Sequence, residues 1–152
     1  DSFKERDQLE RFARRFLIPY IDIGMDVLEI ADQEFLIGGQ VILSSPGGPC
    51  FRCCNFITDD RLAREAEQYG AAGGRPQVVW PNGVLASTAV GIAIELLTPW
   101  HTNRSGFAYL EYDGNRRTVS VSYWVAALGA HKCPHYPPDE TGDPGFDVQR
   151  LS

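Results

Sequence analysis

The sequence predicts an α/β fold with mixed rather than purely parallel strands, braced by a structural metal site. Two helical apolar patterns, alternating strand patterns around them, and three cysteines and a histidine in ligand-like spacing lead to it. At 152 residues the chain has the length of one domain and can bury a core. Its 43% hydrophobic and 11% aromatic content excludes the low-hydrophobicity signature of disorder. Residues 1–152 are read as a single domain, with an irregular Pro-, Gly- and Asp-rich tail over 137–152.

Leu9, Phe12, Ala13, Phe16 and Leu17 fall at helical spacing and make one apolar stripe on a first helix. Pro19 ends that helix, because it lacks an N–H and disfavours helix in the residue before it. Ile18 to Ile23 reads as a short buried strand stopped by Gly24. Val27 to Ile30 and Phe35 to Leu43 are the next strands, the second bent or bulged at Gly38-Gly39. A Ser-Ser-Pro-Gly-Gly-Pro loop over 44–49 delivers the chain to Cys50.

Thr58 or Asp59 caps a helix over 59–69, with Leu62, Ala66 and Tyr69 on one face and Gly70 as its stop. Ala71 to Pro76 reads as a mobile loop and Val78 to Trp80 as a short strand. Asn82 then caps a helix over 83–98 that is apolar on nearly every side, which places it at the domain centre. Phe107 to Tyr112 and Thr118 to Trp124 alternate around Asp113-Gly114-Asn115, a hairpin pattern.

The net charge of −6 and pI near 5.0 give no general attraction to nucleic acid or to an anionic membrane. Arg11, Arg14 and Arg15 share the first helix with Glu5, Asp7 and Glu10, which reads as a solvated mixed-charge face. The apolar run from Val84 to Leu97 is about 14 residues, short of the roughly 20 a bilayer span needs. No apolar leader pattern opens the sequence, and with four cysteines, two of them adjacent, a disulfide framework is not expected. The cytoplasm is the expected compartment.

Cys50-Phe51-Arg52-Cys53 is a C-x-x-C, and Cys133-Pro134-His135 offers a thiol and an imidazole. Zinc takes four tetrahedral sulfur and nitrogen ligands, and a C-x-x-C turn sets two thiolates on one ion without strain. Structural Zn2+ on Cys50, Cys53, Cys133 and His135 is the leading reading, with His131 a rival fourth ligand. A redox pair, an open catalytic metal site and four unrelated buried cysteines are the alternatives. Cys54 reads either as a small core residue or as a nucleophile or sulfur carrier.

Four blocks in order resemble the C-terminal portion of the ThiF/MoeB/HesA superfamily, the adenylating domain shared with ubiquitin-activating enzymes. They are Asp1 to Arg6 with Leu9, Ile18 to Gly24, Pro49-Cys50-x-x-Cys53, and Asn82 to Ser87 running into the apolar helix. The family usually has Asn where Glu10 stands and a second C-x-x-C where this chain has Cys133-x-His135. The hairpin over 107–124 and the tail read as additions.

The resemblance implies the second half of a Rossmann-like adenylating domain with a mixed sheet, whose glycine-rich phosphate loop would precede Asp1. No G-x-G-x-x-G stands in these residues, so the chain alone is expected to be inactive. It further implies ATP- and Mg2+-dependent adenylation of the C-terminal carboxylate of a ubiquitin-like or sulfur-carrier protein. Asp1 matches the magnesium-contacting aspartate and, on the residues alone, is a helix-capping candidate. Arg6 matches the motif arginine. A homodimer is common in the family. A non-catalytic, zinc-stabilised interaction module is the alternative function.

Overall fold

The computed structural model describes residues 2–31, 34–68, 79–98, 100, 106–129, 131–136 and 142. Asp1, the loop expected over 71–76, the stop at Gly70 and the tail over 137–152, Gly142 apart, lie outside the described residues. The chain falls into two compact units. The first comprises Asp1–Tyr20, Ser44–Ala72 and Leu128–Ser152, the second Ile21–Leu43 and Gly73–Ala127.

The first unit opens with α1 (Phe3–Arg15). Ser2 caps it through a capping box: the Glu5 N–H donates to Ser2 Oγ at 3.0 Å and the Ser2 N–H to Glu5 Oε2 at 3.0 Å. Glu65 adds a second anchor, accepting the Phe3 and Lys4 N–H groups at 2.9 and 3.1 Å. Its residue comes from α2 (Asp59–Gln68), which is capped by the Thr58 hydroxyl on the Arg61 N–H.

The inward face of α1 is not the apolar stripe that periodicity picks out. Leu9, Phe12, Phe16 and Leu17 are exposed, and Glu10, Ala13 and Arg14 are buried. The reading of Glu10 and Arg14 as part of a solvated face is thereby overturned. The helix ends in a Schellman turn, with the Ile18 N–H on the Ala13 carbonyl at 2.8 Å and Leu17 at φ 58°. Left-handed backbone is costly for a residue with a Cβ, so Leu17→Gly is expected to raise stability by about 1 kcal/mol. A urea midpoint no higher than that of the wild type would refute it.

The second unit is built on a four-stranded sheet that is antiparallel rather than mixed as expected, in the order β1 (Tyr20–Ala31), β2 (Glu34–Ser44), β3 (Phe107–Asp113), β4 (Thr118–Val121). The first and last residues of the β1–β2 pair, Tyr20 and Ser44, belong to the first unit. The two strands expected on either side of Gly24 are one. A Cβ at Gly39 would meet the Gly24 carbonyl and Leu85 Cδ1, each at 2.7 Å. Gly24 thus lies inside a strand rather than stopping one, and Gly39 permits close approach.

Helix α3 (Val79–Leu97) packs Leu85, Ala89 and Ile92 against Val41, Leu43 and Tyr112. Val79 and Trp80, expected in a strand, form its first turn, and Asn82 lies inside it rather than capping it. Pro81 fits there because first-turn N–H groups have no intrahelical partner. The helix does not sit at a centre covered on every side: Val84, Val90, Ile94 and Leu97 are exposed. Starting at Val79, it is long and apolar enough, by length and composition, to cross a membrane.

The expected hairpin is present, with Leu110 opposite Val121 and Tyr112 opposite Val119. Its turn serves β2 as well. Asn115 accepts the Ile37 N–H and donates to the Phe35 carbonyl, both at 2.9 Å. The second strand stops at Val121, short of the expected Trp124. The Ser122 hydroxyl bonds Glu111 at 2.8 Å, and α4 (Tyr123–Leu128) follows it.

Candidate metal centre

The first half of the site is a knuckle between β2 and α2. Gly48 N–H donates to the Ser45 carbonyl at 3.1 Å, and Gly47 takes φ 84°. Proline then glycine at the two central positions is what a type II turn needs. Residues 50–54 make one helical turn, with the Cys54 N–H on the Cys50 carbonyl. Asn55 at φ 56° ends it, and the Phe56 N–H reaches back to the Phe51 carbonyl at 2.9 Å. Phe51 is fully buried, against Tyr20 at 5.5 Å and Phe56 at 5.4 Å between ring centroids.

The helical turn points Cys50 and Cys53 the same way, with their Sγ atoms 3.5 Å apart. Residues 133–135 supply the second half. His135 Nδ1 lies 3.4 Å from Cys50 Sγ, 3.5 Å from Cys53 Sγ and 3.9 Å from Cys133 Sγ. All four ligand atoms lie within 4.8 Å of one another. A tetrahedral ion with bonds of about 2.3 Å to sulfur and 2.0–2.1 Å to nitrogen sets such atoms roughly 3.6–3.8 Å apart. The cluster therefore fits one mononuclear ion and could hold a metal.

Cys50 is buried, Cys53 and Cys133 are half-buried, and His135 is at the surface. Hydrogen bonding from Cys50 lowers the Cys133 thiol, and the same bond raises Cys50.

His131 is exposed and is not among the clustered ligand atoms. Cys54 points away from them. It is buried, its Sγ 3.4 Å from the Phe51 carbonyl, and burial pushes its thiol up to about 12. Burial and a raised thiol are the features of a small core side chain. Arg6 stands apart from the cluster, its guanidinium over the rings of Phe3 and Phe56 at 6.0 and 5.7 Å. Asp1 is outside the described residues.

Behind the knuckle lies a polar layer that sequence reasoning missed. Glu10 and Arg14, one turn apart on α1, are 0% and 2% exposed. Glu10 accepts the Phe51 N–H at 3.0 Å and the Ser44 hydroxyl. Arg14 donates to Ser44 Oγ from Nε at 3.0 Å and Nη2 at 2.7 Å, to the Gly48 carbonyl at 3.0 Å, and to the Pro49 carbonyl. Its guanidinium also stacks on Tyr136 at 5.0 Å. Arg52, inside the C-x-x-C, pairs with Asp7 at 3.1 Å and Asp59 at 2.8 Å. The available signal was Glu10 and Arg14 at i, i+4 beside Ala13, but charges in that pattern are normally solvated.

Burial raises the Glu10 carboxyl to about 7, against the hydrogen bond from Ser44 and the charge of Arg14, which lower it. The folded chain then holds a proton that an unfolded glutamate releases near 4.5, so this group makes stability fall as pH rises through that window. In the metal-free chain, Glu10→Gln is expected to gain on the wild type between about pH 4.5 and 7. The gain is up to about 3 kcal/mol, at roughly 1.4 kcal/mol per pH unit. Parallel stability–pH curves for the two chains would refute it.

Fold and site together define a mixed α/β chain with an antiparallel sheet and a Cys3His cluster able to hold a metal. No protein-family model, characterised protein or solved structure matches it.

Proposed function

We propose that the chain is part of an ATP-dependent adenylyltransferase of the ThiF/MoeB/HesA type, activating the C-terminal carboxylate of a ubiquitin-like or sulfur-carrier protein. In this reading its sheet and helices are the second half of a Rossmann-like domain, in the cytoplasm, without nucleic-acid or membrane partners. Cys50, Cys53, Cys133 and His135 hold a structural Zn2+, since three thiolates and an imidazole at tetrahedral spacing suit that ion.

The observation that carries the reading is the uncovered apolar surface of α1 and α3, the helices bearing the first and last resembling blocks. Leu9, Phe12 and Phe16 on α1 and Val90, Ile94 and Leu97 on α3 are exposed. Apolar surface of that extent is normally covered by other protein. The remainder of an adenylating domain, or its homodimer partner, is the covering the resemblance implies.

In the reaction a carboxylate oxygen of the carrier attacks the α-phosphorus of ATP, and the bond to pyrophosphate breaks. ATP with Mg2+ supplies the electrophile and neutralises its charge. Asp1 is the residue assigned to magnesium, and Arg6 pairs within the site. The metal cluster does no chemistry in this scheme; it joins residues 50–53 to 133–135. Cys54 is buried and protonated, which favours an adenylate as the product over a thioester or persulfide on this chain.

Titration calorimetry of ATP–Mg2+ onto the 152-residue chain is expected to show no binding, and micromolar binding would sink the partial-domain reading. The chain extended by its upstream coding sequence, given a carrier protein, is expected to exchange pyrophosphate into ATP. Failure there favours the second reading, a non-catalytic metal-braced interaction module, which the same exposed apolar surfaces also support.

A further inference from the structure

We propose that Arg14, Ser44 and Glu10 are a positioning relay that sets both halves of the metal site in place before an ion binds. The proposal rests on the reading of the Cys3His cluster as a metal site. Arg14 and Glu10 grip the knuckle backbone on both sides of Cys50 and in both polarities. Arg14 donates to the Gly48 and Pro49 carbonyls just before the ligand, and Glu10 accepts the Phe51 N–H just after it. Ser44 joins them, spending its one hydrogen on Glu10 and its lone pairs on Arg14.

The other ligand half meets the same guanidinium. Tyr136, which follows His135, lies under Arg14 at 5.0 Å. One side chain thus touches the residues before Cys50 and the residue after His135, and neither contact involves a ligand atom. Removing two ionisable groups from water opposes folding, so such pairs are poor evidence for stability and better evidence for a fixed arrangement. Here the arrangement that is fixed is that of the ligands. Outer partners that orient ligands in this way commonly alter metal affinity by about 10- to 100-fold when removed.

The test uses the whole 152-residue chain and Co2+ or Zn2+ in competition with a chromophoric chelator. Arg14→Lys and Ser44→Ala are each expected to bind about 10- to 100-fold more weakly, with the tetrahedral Co2+ bands unchanged at saturation. Glu10→Gln keeps an acceptor for Phe51 and Ser44 and is expected to stay within about threefold of wild type. The double variant R14K/S44A is expected to be little weaker than the weaker single, because both break one relay.

Phe3→Ala serves as the control. It removes a ring packed at 5.6 Å on Phe56, away from the relay, and lowers stability without moving affinity. Wild-type metal affinity in R14K and S44A, or losses that only track stability as in F3A, would overturn the relay. A wild-type chain that binds neither ion would overturn the metal reading itself, which is a separate outcome.

Discussion

Chelating the ion is expected to turn three slow thiols into fast ones while the fourth stays silent. In the metal-bound chain Cys50, Cys53 and Cys133 are ligands and Cys54 is buried, so a thiol reagent finds nothing reactive. Once the ion is removed, Cys50, Cys53 and Cys133 react and Cys54 waits for denaturant. The bridge from Cys53 to Cys133 closes a loop of about 80 residues, and a cross-link of that length restricts the unfolded chain by about 4–5 kcal/mol. The first unit is expected to lose at least that much stability, with residues 131–136 released first. Four thiols reacting at one rate, with and without chelator, would refute the assignment.

Arg14→Ala is expected to be the most damaging single substitution away from the ligands, at about 3–5 kcal/mol. The loss has two sources. The Gly48 and Pro49 carbonyls and the Ser44 oxygen lose their donors in a buried setting. Glu10 loses the neighbouring cation, 3.5 Å away, that offsets its own burial. Urea unfolding of the metal-free chain measures this directly, since no ligand bond then masks it. A change below about 1 kcal/mol would show that the buried pair is not part of the folded core. Arg11→Ala, on the exposed face of the same helix, is the matching control.

These two sites differ in how far they could be read beforehand. The ligand set was legible, because cysteine and histidine have few other reasons to recur at those intervals. The layer behind it was not. Whether Glu10 and Arg14 face water depends on Ser44 and on the carbonyls of 48 and 49, more than 30 positions away. Periodicity alone preferred Leu9, Phe12 and Phe16 as the inner face, and the fold exposes them. Propensity located α1, α2, α3 and the hairpin but put the start of α4 in a strand, and Gly24 was misread as a strand's stop. Gly24 lies inside β1, and Gly39 stands where Leu85 and the Gly24 backbone need the room. Pro81 sits inside a helix because its first turn tolerates a missing N–H.

The two ligand halves also set a timetable for the nascent chain. Cys50 and Cys53 leave the ribosome with two thiols ready and no partners, and the second unit's longer segment is made before Cys133 and His135 appear. At about 5–20 residues per second, those 80 residues take roughly 4–16 s. For that interval two thiolates are open to oxidation or to the wrong ion. A site of this kind stays incomplete until those residues are made, so the supply of metal and of reductant over that interval bears on how much metal-bound chain forms.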